Sequence, residues 1–95
     1  MRDYELVVII SPDVAEEDVP ATIEKISQLV AGRGGEVTQV DHWGRRKLAY
    51  PISRHLEGSY VVSQLKLEPS QAAGLTAGLR LSEDVLRHLL VRVGD

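Results

Sequence analysis

The sequence predicts an α+β domain in which four strands and two helices follow one another as β-α-β-β-α-β. Two observations set the element order and a third sets the size. The spacing of apolar residues changes from two to a mixture of three and four, then back, twice along the chain. Proline or glycine punctuates most of these changes: Pro12 and Pro69 precede the helical stretches, and Gly32, Gly34 and Gly35 follow the first of them. At 95 residues the chain can build one core and not two, so residues 1–95 read as a single domain.

Arg2 to Ile10 alternates at first and then turns wholly apolar. Tyr4, Leu6, Val8 and Ile10 lie on one side, and Glu5, Val7 and Ile9 on the other. The unbroken run from Leu6 to Ile10 fits a central strand with much of both faces covered. Ser11-Pro12-Asp13 ends it, since proline has no N–H to offer a ladder. From Glu16 to Ala31 the residues Val19, Ile23, Ile26 and Val30 form the stripe of an amphipathic helix, widened by Leu29. Glu16, Glu17 and Asp18 place negative charge where the helix dipole favours it. Pro20 is tolerated only in an opening turn, so the helix starts between Glu16 and Val19. Gly32, Gly34 and Gly35 end it and allow the positive φ that a C-cap needs.

Glu36 to Ile52 reads as a second, long strand. Val37 and Val40 break strict alternation, which predicts a bulge between Thr38 and Asp41. Gly44 marks a further point where the strand bends or another backbone approaches, and Pro51 requires an edge or an unpaired ladder. Ser53 to Gly58 is polar and reads as a hairpin loop with Arg54 and His55 near its tip. Ser59 to Leu67 alternates as a third strand, with Val61, Ser63, Leu65 and Leu67 opposed to Tyr60, Val62, Gln64 and Lys66. Glu68-Pro69-Ser70 opens a second helix whose buried stripe is Ala72, Leu75 and Leu79. Gly74 and Gly78, four apart, cost helix stability of up to about 1 kcal/mol each and leave room for close packing. Leu81 to Asp84 connects to a fourth strand, Val85 to Val93. Alternation divides that strand into Leu86, His88, Leu90 and Arg92 against Val85, Arg87, Leu89, Val91 and Val93, without deciding which set is buried. Four strands with two helices on one face give a ferredoxin-like sandwich, an antiparallel sheet of order 4-1-3-2. That architecture hosts many functions and selects none.

Composition narrows the classes. Apolar content of 43% and charged content of 26% describe an ordinary soluble globule rather than a disordered tail. The longest apolar run is far short of a membrane span, and no signal-peptide pattern opens the chain, so neither membrane nor secretion is expected. With no cysteine there is no disulfide, thiolate site or cysteine nucleophile, as fits a cytoplasmic protein. His42, His55 and His88 lack metal-ligand spacing, and no glycine-rich loop joins a strand to a helix. Small acyl-phosphate hydrolases of this architecture carry a catalytic Arg and Asn, and this chain has no asparagine. Paired carboxylates occur only at exposed-looking places such as Glu16-Glu17 and Glu83-Asp84, where a solvated or helix-end role suffices. No enzyme, cofactor, metal or small-molecule substrate is expected.

One window stands out. Between His42 and Leu56 lie Arg45, Arg46, Lys47 and Arg54 and no acid, although the chain as a whole carries 11 bases and 14 acids, for a net charge of −3. Trp43 and Tyr50 share that window. Positive charge beside planar rings suits a nucleic acid, because guanidinium groups fork onto phosphates and rings stack on unpaired bases. The bland alternative is a solvated basic turn. The stretch WGRRKLAYPI, with MRDYEL before it and EGSYVV after it, closely resembles the family of bacterial ribosomal protein six of the small subunit, over nearly the whole chain. The resemblance implies a structural protein that binds the central domain of 16S ribosomal RNA and pairs with the eighteenth small-subunit ribosomal protein.

Carried over by residue, it implies RNA contacts at Arg2, Arg46, Arg54 and Arg87, with Arg45, Lys47 and Arg92 as weaker ones. Tyr4 and Tyr50 would stack or hydrogen-bond at the RNA edge, or else pack on the sheet rim. Trp43 is expected to face the protein partner or to be half-buried, and Leu48, Ala49, Pro51 and Ile52 to form an apolar docking edge. The resemblance also places Leu90 and His88 beneath the helices. Family members often add an acidic tail, whose contacts are not expected in a sequence ending at Asp95; Asp3 thins the basic N-terminus. Two readings without RNA compete: a ligand-sensing module of the same architecture, and a protein-docking scaffold.

Overall fold

The computed structural model describes residues 1–52 and 54–94. Its elements are β1 (Arg2–Ile10), α1 (Val19–Gly32) entered through a single 3-10 turn (Glu16–Asp18), β2 (Glu36–Ile52), β3 (His55–Leu67), α2 (Ala72–Arg80) entered through Pro69–Gln71, and β4 (Val85–Arg92). The strands form one antiparallel sheet of order β2-β3-β1-β4, the expected 4-1-3-2 read from the other edge. Alternation decides what each face carries. Tyr4, Leu6, Val8 and Ile10 of β1 meet Val61, Leu65 and Leu67 of β3 on the helix side, and α1 and α2 close over them with Val19, Ile26, Val30, Leu75 and Leu79. Burying a dozen such side chains, at about 1.5–3 kcal/mol each, is the main force holding the layers together.

The helix ends follow from local chemistry. Pro20 sits in the first turn of α1, where its missing N–H is no loss. At the other end Gly34 adopts φ 77°, so its N–H reaches the Ala31 carbonyl while Gly35 N–H reaches that of Val30. Those two bonds satisfy carbonyls the helix leaves open. Gly35 is there for space as well: a Cβ on it would sit 2.7 Å from the Lys66 carbonyl oxygen.

Several expectations change. Leu29 does not widen the buried stripe of α1; Thr22 takes that place, and Leu29 turns toward Gly78 in the groove between the helices. Gly74 likewise makes room for the Arg33 side chain, so both glycines of α2 receive side chains of α1 or its end. The loop expected over Ser53 to Gly58 is much shorter, because His55 to Gly58 already belong to β3; Ser53 lies outside the described residues. In β4, Leu90 lies opposite Leu6 and His88 opposite Val8, on the helix side. A register shift between Ile9 and Ile10 then reverses the alternation: Val85 packs on the core, and Leu86 falls on the side of Gly58 and Ile9.

Candidate nucleic-acid and protein interface

The site is built by a hairpin longer than the sheet that carries it. β2 and β3 pair from Glu36–Lys66 out to Ile52–His55, but β1 supports β3 only as far as Ser59. Beyond that point residues 45–58 leave the sheet as a two-stranded arm. Straight, the 17 residues of β2 would reach about 56 Å at roughly 3.3 Å per residue. The molecule measures only 35 × 24 × 22 Å, so the strand must bend. Three register shifts bend it, at Thr38, at Trp43, and between Lys47 and Ile52. The first lies inside the window expected from Val37 and Val40. At the second, Gly44 takes φ 87° and no other group approaches it, so of the two options it is a bend and not a close contact. At the third, Leu48 to Pro51 have no ladder partners, which accommodates Pro51.

Bending carries the arm over the face of the sheet opposite the helices. Leu48, Ala49, Tyr50 and Ile52 there wall a hollow of about 260 Å³ floored by Val7, Ile9, Tyr60 and Leu89. Two contacts fasten the arm to the turn after β1. Arg45 reaches Glu57 at 3.5 Å and donates to the Pro12 carbonyl at 3.4 Å. The His55 ring meets Asp13 Oδ2 at 3.1 Å through Nε2 and the Ile52 carbonyl at 3.3 Å through Nδ1.

The expected RNA contacts fall into two groups. Arg45, Arg46, Lys47, Tyr50 and Arg54 share the arm, and Arg87, opposite Ile9, lies beneath it with its guanidinium 5.8 Å from the centre of the Tyr50 ring. Arg46 stands 5.4 Å over the Trp43 ring. Arg54 occupies the tip with φ 71°, a left-handed conformation that points to a tight reversal. Arg2 and Arg92 sit toward the other end of β1, roughly 23 Å and 17 Å from Arg87 by strand rise. Tyr4 is a correction: its ring is 7% exposed, packed in the core on the helix side, with no open face to stack on a base.

The apolar set divides too. Leu48, Ala49 and Ile52 line the hollow, Pro51 is exposed on the same arm, and Trp43 lies away from it beside Arg46. The cover expected on both faces of β1 is the helices on one side and this arm on the other; what the sequence reading did not anticipate is the hollow left between the arm and Val7 and Ile9. Elsewhere, His88 is held below the usual histidine range by burial under the helices and by the Arg80 charge. Among the described residues no cluster of His, Asp and Glu could hold a metal ion, and no helix is long and apolar enough to cross a membrane.

This geometry has close counterparts. A family model described as Ribosomal protein S6 matches residues 3–92. The chain is 44% identical over 95 residues to small ribosomal subunit protein bS6 of Desulforamulus reducens, with all of both chains covered. It is 46% identical over 92 residues to that of Mycolicibacterium paratuberculosis, covering 97% of this chain and 96% of the relative. The crystal structure of 30S ribosomal protein S6 from Thermotoga maritima superposes with a TM-score of 0.89 at 29% identity, over 96% of this chain and 86% of that one.

Proposed function

The chain belongs to the ribosomal protein S6 family, and from that premise we propose that it acts in the small ribosomal subunit by binding the central domain of 16S ribosomal RNA together with the eighteenth small-subunit protein. A ribosomal protein of this family is a structural component of a cytoplasmic particle and not an enzyme. The observation that carries the RNA reading is the state of the arm's cations. Among the described residues no ion pair involves Arg46, Lys47 or Arg54, in a chain whose acids outnumber its bases. Arg45 is different, since Glu57 and the Pro12 carbonyl already occupy it.

Phosphate contacts by this arm position the domain, and RNA shape supplies most of the selectivity, because A-form helices hide their major-groove edges. Neutralising about four phosphates gives weak, salt-sensitive binding. A protein partner adds basic surface and raises the effective concentration. The apolar hollow beneath Leu48, Ala49 and Ile52 supports docking of such a partner close to the cations.

Binding of a central-domain RNA fragment, measured with and without the partner protein, tests both halves. The partner should raise affinity severalfold or more; an affinity indifferent to it rules out joint assembly. Replacing Arg46 and Arg54 together with alanine should flatten the salt dependence by about two phosphate equivalents. An unchanged slope removes both residues from the RNA surface.

A further inference from the structure

Trp43 is the only tryptophan in the chain, and it stands 52% exposed. The strand itself puts it there. Between His42 and Gly44, β2 gains one residue over β3, and Trp43 is the residue left without a partner. Gly44, at φ 87°, supplies the left-handed turn such a bulge uses. Arg46 lies opposite Gly58, and its guanidinium carbon is 5.4 Å from the centre of the indole ring. A cation over a ring at that distance is attracted by the ring's quadrupole and helps hold it in place. Neither side chain lines the apolar hollow, and among the described residues no carboxylate pairs with Arg46.

We propose that Trp43 and Arg46 form a stacking site for an unpaired RNA base. The base lies flat on the indole–guanidinium pair while the Arg46 N–H groups reach its phosphate. The inference rests on the RNA-binding reading and narrows it to single-stranded RNA at this point of the arm. An intact A-form helix keeps its bases stacked on one another and has no free face to offer, whereas a looped-out base does. A phosphodiester also supplies the acceptor that Arg46 lacks. An apolar protein surface closing over the same ring would strand that charge without a partner, which is costly.

The single tryptophan makes the test direct. Titrating the full chain at low salt with a short oligoadenylate should quench Trp43 fluorescence saturably, and an RNA duplex of the same length should not. Trp43→Ala should weaken oligoadenylate binding on the order of tenfold, and Trp43→Phe should restore most of it. Arg46→Lys should keep the salt dependence but lose affinity, since an ammonium preserves the charge without the plane. If oligoadenylate binds while Trp43 emission and the Trp43→Ala affinity stay unchanged, the stacking site is wrong and RNA binding by the arm survives. If emission changes only with the purified partner protein, Trp43 is a protein anchor and the stacking site is again wrong. If neither oligoadenylate nor the central-domain fragment binds, the RNA reading falls and this inference with it.

Discussion

His55 Nε2 lies 3.1 Å from Asp13 Oδ2, joining the outer end of the hairpin to the turn that follows the first strand. With Arg45 donating to the Pro12 carbonyl, this contact holds a two-stranded arm that no third strand supports. Asp13 is well exposed, so the pair adds little to global stability, under about 1 kcal/mol. Its effect is local. His55→Ala should leave the unfolding midpoint nearly unchanged and speed amide exchange along residues 54–57 relative to the β1–β3 ladder. Uniform exchange rates in wild type and variant would show that the contact fastens nothing.

His88 gives a pH dependence with a definite sign. Its folded-state pKa is lowered from the ordinary 6.5 by burial first and by Arg80 second. The unfolded chain therefore takes up a proton at higher pH than the folded one. Above about 6.5 both states are neutral at this residue and stability is unaffected. As the pH falls from that value to the lower folded pKa, stability drops, and it levels off below. Urea unfolding across this window should show the loss in wild type and a flatter profile in His88→Gln. Arg80→Ala should raise the His88 pKa seen by NMR titration of the ring.

Two glycines three residues apart should respond oppositely to alanine. Gly35→Ala places a Cβ 2.7 Å from the Lys66 carbonyl oxygen and 2.9 Å from both the Leu67 and Val30 side chains. Overpacking against backbone should cost about 1–3 kcal/mol. Gly32→Ala, at the last residue of α1, meets nothing within 4 Å and should stabilise by about 0.4–1 kcal/mol through reduced freedom of the unfolded chain. Chemical denaturation of both variants checks the pair of signs.

The hollow under the arm carries its own prediction. Leu48→Asp or Ile52→Asp puts a charge into a wall made with Val7, Ile9 and Leu89. Either change should lower affinity for the proposed partner, the eighteenth small-subunit protein, at least tenfold. The arm's cations are retained, so binding of RNA by the isolated chain should hold within about twofold. Loss of both activities together would point instead to a displaced arm.

Much of this molecule is written in periodicity. The change from alternation in Tyr4–Ile10 to the helical stripe Val19–Val30, and back again at Val61–Leu67, specifies strands, helices and their buried faces, because a side chain's direction follows local backbone geometry. Clustering of Arg45, Arg46, Lys47 and Arg54 is likewise visible in one dimension, and so are the weak points at Thr38, Gly44 and Pro51. Other features depend on residues far apart in the chain meeting in space. Only the folded sheet decides that His88 and Leu90 face the helices, since a strand's two faces are equivalent until a neighbour fixes its register. A one-residue shift in β4 then exchanges Val85 with Leu86, which no alternation pattern can display. The same holds for the charges. Tertiary packing hides Tyr4 in the core, gives Arg45 to Glu57, and sets Arg46 over Trp43 and Arg87 beneath Tyr50. Composition supplies the cations, and the bends of one overlong strand determine which of them remain unpaired.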